Sequence, residues 1–166
     1  MTKKRVLILD QETIAHKLRR MAYEIWERNS EEKEIVMVGI AKGGKILADN
    51  LATLLKEISP LKIRTATITI NKKNPLQHSL EPSDSLDGCS VVLVDDVVNS
   101  GKTIIYSLHA LLAFDLKKLV VAVLVDRKHK SFPIASDIIG HSIATTLQEH
   151  IQVETKGNEI KAVYLE

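Results

Sequence analysis

The sequence predicts an α/β fold in which an open, mostly parallel sheet is flanked by helices. Three runs of apolar and β-branched residues, 35–40, 91–94 and 119–125, have the composition of strands that are buried on both faces. Segments with helical spacing of apolar residues alternate with these runs. This alternation is typical of a parallel sheet whose faces are covered by helices.

The length and composition fit one domain, residues 1–166, without a membrane span. The chain has 23 Lys and Arg against 21 Asp and Glu, and the formal net charge of +2 does not by itself indicate nucleic-acid binding. Cys89 is the single cysteine, which excludes an internal disulfide and fits a reducing compartment. Because the apolar run 6–9 is too short for a signal peptide and no run reaches membrane-spanning length, we expect a cytoplasmic protein.

The first helix is predicted to begin after Asp10, a suitable N-cap, and to end at about Arg28. The charged residues 31–34 then form a solvated connector to the first core strand, 35–40. A second helix follows this strand and is closed by Pro60. The apolar residues of the first helix recur at helical spacing, at Ile14, Leu18, Met21, Ala22, Ile25 and Trp26.

The loop between the first core strand and the second helix, residues 39–44, is rich in glycine. Gly39, Gly43 and Gly44 permit a close approach of the backbone to an anion, and Lys42 adds a mobile positive charge. A glycine-rich turn can also serve only to pack a strand tightly against a helix. The loop residues by themselves leave both interpretations open.

The remaining elements are predicted by alternation and turn residues. Residues 63–70 alternate and predict a strand, whereas 71–88 has almost no periodicity. A connection of this length in a compact domain is usually functional or disordered. Near the C-terminus, residues 151–154 and 160–165 alternate around Gly157, which predicts a hairpin.

The most informative stretch is 91–103, with the sequence VVLVDDVVNSGKT. A buried strand leads to Asp95 and Asp96, and a small polar turn at Asn99, Ser100 and Gly101 leads into a third helix. The free backbone N–H groups of such a turn and helix start can bind a phosphate. The two carboxylates can accept hydrogen bonds from vicinal sugar hydroxyls or hold a hydrated Mg²⁺.

Two other kinds of site have related motifs. The tripeptide GKT at 101–103 ends like a P-loop, but that motif requires a glycine five residues before Gly101, where this chain has Asp96. Phosphorylated receiver domains carry an acidic pair after their first strand, whereas this pair follows about the third. A plain strand–helix turn with a helix-capping acid remains as an alternative, although adjacent acids that close a buried strand are costly without a partner.

Residues 91–103 resemble the signature of the type I phosphoribosyltransferases: four apolar strand residues, two acids, two or three mostly apolar residues, then Ser or Thr, Gly, any residue and Thr. The resemblance implies binding of 5-phosphoribosyl-1-pyrophosphate with Mg²⁺ as cofactor, and transfer of the phosphoribosyl group to a nucleobase. It implies that Asp95 and Asp96 are catalytic and hold the ribose hydroxyls, directly or through the metal. The residues implied to bind the 5-phosphate are Asn99, Ser100, Gly101, Lys102 and Thr103.

The same resemblance gives a role to residues 39–44, here called the pyrophosphate loop. They resemble the corresponding loop of hypoxanthine–guanine phosphoribosyltransferases at Gly39, Lys42, Gly43 and Gly44. The resemblance implies that these residues, together with Ala41, bind the pyrophosphate. In this family such a loop often contains a strained peptide bond.

Residues 71–88, here called the flap, correspond to a flexible segment that closes over the active site in this family. Closure would keep water away from a cation-like ribosyl transition state. Lys72, Lys73 and His78 are candidates to meet the pyrophosphate charge when the flap closes.

A second and narrower resemblance covers residues 123–140, VLVDRKHKSFPIASDIIG. This run is similar to a segment of the pyrimidine operon regulators that are also uracil phosphoribosyltransferases. The resemblance implies that Ile138 and Ile139 flank the nucleobase and that residues 127–166, with the N-terminal segment, form a small hood. Arg127, at the end of a strand, could reach the pyrophosphate or form a plain ion pair with Asp126.

The narrower resemblance also implies RNA as a further partner and a homo-oligomeric state. The basic residues 117–118 and 127–130 are candidate RNA contacts, although aromatic residues for base stacking make up only 4% of the chain. Asn99 stands where many of these enzymes carry an aspartate that acts as a base toward purines, which favours a pyrimidine such as uracil. A purine substrate, an RNA-binding regulator and a relative that binds ligand without turnover remain alternatives.

Overall fold

The computed structural model describes residues 4–166, and within that range it contains three α-helices and nine β-strands. The helices are α1 Gln11–Arg28, α2 Gly43–Ile58 and α3 Lys102–Leu111. The strands are β1 Val6–Leu9, β2 Glu34–Ile40, β3 Lys62–Ile70, β4 His78–Glu81, β5 Ser90–Val98, β6 Lys118–Arg127, β7 Ile138–Ile143, β8 Ile151–Lys156 and β9 Glu159–Leu165.

The main sheet has six strands in the order β4-β3-β2-β5-β6-β7. All neighbouring strands in it are parallel except β3 and β4. One face is covered by α1 and α2, where Met21, Ile25 and Leu51 are fully buried, and the other is covered by α3 with Ile104 and Leu111. The predicted α/β fold with an open, mostly parallel sheet is therefore confirmed.

A separate antiparallel sheet is formed by β1, β9 and β8. The hairpin of β8 and β9 turns at Gly157, whose φ of 60° lies in the left-handed region that favours glycine. The predicted C-terminal hairpin is confirmed. Ile160 and Val163 of β9 pack with Leu9 of β1 into the core beneath α1 and α2, so the tail contributes to the core of the domain.

The flap contains a strand that the sequence did not predict. β4 pairs antiparallel with β3, from Thr67 opposite Glu81 to Ile70 opposite His78, so β3 and β4 form a hairpin. Leu80 is the one residue of β4 that is not exposed, and a strand with a single partly buried residue has no alternating pattern to detect. Closure of the flap over the site stays a prediction.

The order of the strands determines where the loops meet. β2 and β5 are neighbours, and Gly39 lies opposite Val94 in their parallel register. The loops that follow these two strands therefore lie side by side at one edge of the sheet. At the other end of the chain, Asp10 caps α1 as predicted, because its Oδ1 accepts a hydrogen bond from the N–H of Thr13 at 2.8 Å. Within residues 4–166, no helix has both the length and the apolar composition needed to cross a membrane.

Candidate active site

Asp95 and Asp96 lie at the carboxyl end of β5, near the centre of the main sheet. The backbone N–H of Asp96 donates to Asp95 Oδ1 at 2.9 Å, and the N–H of Val97 donates to Asp96 Oδ1 at 2.8 Å. The backbone thus holds one oxygen of each carboxylate and fixes the orientation of both side chains.

The ionised form of Asp95 is unfavourable at its buried position beside Asp96. Burial raises the pKa of Asp95 well above its usual range, and the neighbouring Asp96 carboxylate raises this pKa further. A cation or several hydroxyl donors would stabilise the ionised form. The alternative of a helix-capping acid is wrong, because the N-cap of α3 is Gly101 and the side-chain acceptor at the first N–H of this helix is Ser100 Oγ.

The phosphate loop, residues 99–103, leads from β5 into α3. Gly101 has a φ of 84°, and the N–H of Lys102 donates to Ser100 Oγ at 3.2 Å. The carbonyl of Ser100 accepts hydrogen bonds from the N–H groups of Ser131 and Phe132 at 3.1 and 3.0 Å, which holds the loop against the chain that follows β6. A small cleft of about 60 Å³ lies between this loop and Asp95. The N-terminus of α3 and the acid pair therefore border one space.

The pyrophosphate loop packs directly on the end of β5. A Cβ atom at Gly43 would lie 2.0 Å from Asp96 Oδ2, and one at Gly44 would lie 2.4 Å from the carbonyl oxygen of Val94. Tight packing thus requires both glycines, and binding of pyrophosphate by this loop stays a prediction. Its peptide bond between Ala41 and Lys42 is cis.

A cleft of about 340 Å³ joins the three segments. Residues 40–41 of the pyrophosphate loop, Asp95 and the phosphate loop line it, together with the start of the flap. Its lining residues are Ile40, Ala41, Ile70, Lys72, Pro75, Asp95, Ser100, Lys102, Thr103 and Tyr106. The structure therefore brings Asp95, the phosphate loop, Ala41 and Lys72 together, as the sequence predicted for one site.

A family model described as a phosphoribosyl transferase domain matches residues 7–156 of this chain. The chain belongs to the phosphoribosyltransferase family. The resemblance found at 91–103 is thereby confirmed, and the chain is a phosphoribosyltransferase.

Three curated relatives of this phosphoribosyltransferase carry the same name. The bifunctional protein PyrR of Pelotomaculum thermopropionicum is 36% identical, and the alignment covers 100% of this chain and 98% of that protein. The protein of the same name from Enterococcus faecalis is also 36% identical, with 89% and 88% covered. That of Streptomyces coelicolor is 37% identical, with 89% and 81% covered. The narrower resemblance found at 123–140 points to this same group.

Solved structures with the same fold include the hypoxanthine phosphoribosyltransferase of Trypanosoma cruzi. It has a TM-score of 0.81 and 17% identity, and the match covers 96% of this chain and 97% of that one. A hypoxanthine phosphoribosyltransferase from Staphylococcus aureus has a TM-score of 0.72 and 16% identity, with 84% and 77% covered. At these identities the likeness shows the fold of the phosphoribosyltransferase and nothing about its base.

The structure corrects the predicted ion pair of Arg127 with Asp126, whereas contact of Arg127 with the pyrophosphate stays a prediction. Its guanidinium donates to Asn99 Oδ1 at 3.2 Å, to Thr145 Oγ1 at 2.7 Å and to the carbonyl of Thr146 at 3.0 Å. It therefore contacts neither the pyrophosphate loop nor Asp126. The partner of Asp126 is Lys130, whose Nζ lies 2.8 Å from Asp126 Oδ1, with both side chains nearly buried.

The structure also corrects the base contact predicted for Ile138, whereas that of Ile139 stays a prediction. Ile138 is 1% exposed and packs in the core with residues of α1 and α2, so it has no face for a ligand. Ile139 is half-buried against the opposite face of the sheet, and its carbonyl already accepts a hydrogen bond from Arg20 at 2.9 Å. The physical reason is position: both residues begin β7, whereas ligands of such sheets gather beyond the carboxyl ends of the strands.

The two basic clusters do not form one surface. Residues 117–118 and 127–130 lie at opposite ends of β6, about 30 Å apart for a strand of ten residues. Lys117 pairs with Glu32 at 2.9 Å, and Lys118 donates to the carbonyl of Arg28. With Arg127 and Lys130 also engaged, Lys128 and His129 are the exposed members that remain. Contact of these basic residues with RNA stays a prediction.

Tyr106 and Ile70 line the cleft but were not predicted. Tyr106 follows Thr103 by three residues on α3, so helical spacing places both on the same side of the helix. That spacing was a usable signal for Tyr106. Ile70 lies at the end of β3, and nothing in its local pattern distinguishes it from a core residue.

Proposed function

We propose that this phosphoribosyltransferase transfers the 5-phosphoribosyl group of 5-phosphoribosyl-1-pyrophosphate to a pyrimidine base, uracil in the first place, and releases pyrophosphate. The observation that carries the proposal is the single cleft in which Asp95, Ala41 of the pyrophosphate loop and Thr103 of the phosphate loop meet. In the reaction, the bond between ribose C1 and a pyrophosphate oxygen breaks, and a bond from C1 to a ring nitrogen forms as the base loses its N–H proton.

The acid pair would hold the sugar and the metal. The described residues contain no group of three or more acidic, His or Cys side chains that could hold a metal alone. Mg²⁺ is commonly bound by one or two carboxylates together with substrate oxygens and water, so Asp95 and Asp96 fit it as partial ligands. When bound, Mg²⁺ would neutralise charge that develops on the departing pyrophosphate. The raised pKa of Asp95 also favours a cation here.

The two loops would bind the two anionic ends of the donor. In the phosphate loop, the backbone N–H groups at the start of α3 and the hydroxyls of Ser100 and Thr103 would bind the 5-phosphate. Lys42 is exposed beside the cleft, and Lys72 of the flap lines it. These two cations would attract the pyrophosphate, so catalysis would consist of positioning and charge stabilisation.

The neutral side chain at position 99 supports a pyrimidine. An amide cannot accept a proton from a purine ring nitrogen at neutral pH, whereas an aspartate can. Asn99 also accepts a hydrogen bond from Arg127, which fixes it as a structural acceptor. We therefore expect uracil to be used in preference to purines.

The test is a pyrophosphate-release assay with donor and Mg²⁺ and with uracil, hypoxanthine, guanine or adenine in parallel. Release with uracil alone is the expected result. Preference for a purine would overturn the choice of base. If none of the four bases gives release of pyrophosphate while calorimetry shows that the donor binds, the protein binds its ligand without turnover.

A second candidate function is RNA binding. It is supported by the resemblance of residues 123–140 to the pyrimidine operon regulators and by relatives that are named as bifunctional proteins. The residues still exposed for it in the second basic cluster are Lys128 and His129. Filter binding of a pyrimidine-operon leader RNA at two salt concentrations tests it, because phosphate contacts weaken steeply with salt. Salt-sensitive binding that falls in Lys128→Ala supports RNA recognition, and its absence removes this function.

We further propose a homo-oligomeric and cytoplasmic protein, on the basis of the family likeness. Light scattering of the purified chain is expected to give a dimer or a larger oligomer. A monomer at micromolar concentration would overturn the expected oligomeric state without bearing on the reaction.

A further inference from the structure

Arg127, at the end of β6, connects the phosphate loop to the β7–β8 connection, residues 144–150. Its Nη1 donates to Asn99 Oδ1, its Nε to Thr145 Oγ1 and its Nη2 to the carbonyl of Thr146. A guanidinium carries its N–H donors in a rigid plane, so one side chain holds three acceptors in fixed relative positions. Two segments that are distant in sequence are therefore held together at one side chain.

The β7–β8 connection has few other links to the main sheet. The N–H of Thr146 donates to Glu149 Oε2 at 2.6 Å, a bond within the connection, and the N–H of His150 donates to the carbonyl of Glu166 in the second sheet. Leu147 is 97% exposed. Among the hydrogen bonds found between residues 4 and 166, those from Arg127 join this connection to the phosphate loop.

The charge of Arg127 makes this link sensitive to a bound phosphate. Asn99 is neutral and Asp126 is paired with Lys130, so the acidic neighbour of the guanidinium is Glu149 of the connection, whose pKa Arg127 helps to lower. A phosphate in the phosphate loop would place negative charge near the Asn99 end of the link. Attraction between this charge and the guanidinium would hold Arg127 against Asn99, and with it Thr145 and Thr146.

We propose that Arg127 is a positioning residue that transmits occupancy of the phosphate loop to residues 144–150 when the phosphoribosyl donor is bound. The inference rests on the proposed function for the identity of the ligand. It assigns Arg127 no direct contact with the donor. The connection leaves the edge strand β7 toward β8 of the second sheet, so it begins on the side of the phosphate loop away from the flap.

The test is hydrogen–deuterium exchange of residues 144–150 with and without ribose 5-phosphate. In the wild type, the ligand is expected to slow exchange of these amides at least about threefold, because it stabilises the link. In Arg127→Gln the slowing is expected to be lost, while the dissociation constant for ribose 5-phosphate changes less than about threefold. Arg127→Lys keeps the charge but not the planar donors, and we expect it to lose the slowing as well.

Matched variants separate positioning from general damage. Lys128→Gln removes a neighbouring exposed cation and is expected to keep the full slowing. Thr145→Val removes one acceptor, leaves Arg127 in place and is expected to reduce the slowing.

Full slowing in Arg127→Gln, or a loss of ribose 5-phosphate affinity beyond about tenfold in Arg127→Lys, would overturn the inference. The second result would make Arg127 a direct phosphate ligand. If the wild type shows the slowing but transfers to no base, the proposed function fails and the inference is supported.

Discussion

Gly43 and Asp96 form a single packed unit. A Cβ at position 43 would lie 2.0 Å from Oδ2 and 2.4 Å from Cγ of Asp96, closer than real contacts allow. Asp96 is also held by the N–H of Val97, so it has little freedom to move away. A side chain at position 43 would therefore displace the acid pair.

Gly43→Ala is expected to lower the free energy of unfolding by about 1–3 kcal/mol, the usual cost of overpacking. The same substitution in an Asp96→Ala background is expected to cost much less, because the clashing carboxylate is gone. Urea unfolding of the four proteins in this cycle measures the coupling. Equal costs in both backgrounds would show that the contact with Asp96 is not the cause.

Asp95→Asn is expected to raise the free energy of unfolding at pH 8 by about 1 kcal/mol while it lowers transfer at least about hundredfold. Burial and Asp96 raise the pKa of Asp95, so the folded state disfavours the ionised carboxylate. This penalty is present above the folded-state pKa and disappears as the pH falls below the unfolded value.

Urea unfolding at pH 8 and at pH 4.5 measures this effect. The gain of Asp95→Asn over the wild type is expected to shrink at the lower pH. Asp84→Asn, at an exposed site in the flap, is the matched control and is expected to change stability little at either pH. If Asp95→Asn is less stable than the wild type at pH 8, the expected direction of the change in unfolding free energy is contradicted.

The meeting of Asp95 and the phosphate loop at one cleft was predictable, because their residues are contiguous at 91–103. Arg127 was not predictable in the same way. Its partners Asn99 and Thr145 lie 28 and 18 residues away in the sequence, so its contacts depend on the order of the strands. Ile138 was assigned to the base by likeness, but parallel pairing with Ala122 of β6 places it inside the core.

At the level of the elements, the start of α3 is the part of the site with the strictest backbone requirement. Gly101 has a φ of 84° and is the residue from which the helix begins. An added Cβ would find ordinary contacts with Phe132 and Ile134, at 3.4 Å or more. The expected cost of a side chain at position 101 therefore comes from the backbone conformation, and a change of that conformation would move the N–H groups that are proposed to bind the 5-phosphate.

Gly101→Ala is expected to destabilise the fold by about 1–2 kcal/mol and to weaken binding of ribose 5-phosphate about tenfold or more. Gly157→Ala is the control, because Gly157 also has a positive φ, with no atom within 4 Å of its added Cβ and a place in the distant β8–β9 turn. It should cost similar stability and leave the affinity unchanged. Calorimetric titration and urea unfolding give both quantities, and equal affinity losses would contradict the assignment of the loop.

Elements whose apolar residues recur with a clear period were predicted well, whereas short and exposed strands were not. α1 begins after Asp10 and ends at Arg28 as the spacing of its apolar residues indicated. β1 and β4 have four residues each, and β1 gains its stability from pairing with β9 at the far end of the chain. A pairing partner more than 150 residues away leaves no local trace in a four-residue run.

At the scale of the whole molecule, the strand order places the site at the carboxyl ends of two central strands of the main sheet. β2 and β5 are separated in sequence by α2 and the β3–β4 hairpin, yet they pair side by side, so the pyrophosphate loop meets the acid pair. The sequence predicted a parallel sheet but not this order. Once the order is known, the 340 Å³ cleft follows from the two adjacent strand ends.

This arrangement predicts that Mg²⁺ and the donor stabilise the molecule together and that neither does so fully alone. Two carboxylates without a third acidic, His or Cys ligand among the described residues form a weak metal site, and substrate oxygens would complete it. At about a hundredfold excess over the dissociation constant, the pair is expected to add about 2.7 kcal/mol to the free energy of unfolding. That corresponds to a rise in Tm of about 5–10 °C for a domain of this size.

Thermal unfolding with Mg²⁺ alone, with donor and a chelator, and with both together measures this coupling. The combined shift is expected to exceed the sum of the separate shifts, because each ligand completes the site of the other. It should be absent in the Asp95→Asn, Asp96→Asn double variant, which keeps both loops but loses the carboxylates and is expected to lose transfer activity altogether. A full shift with Mg²⁺ alone would mean that the chain holds a complete metal site of its own, and a full shift in the double variant would mean that the donor binds without the acid pair.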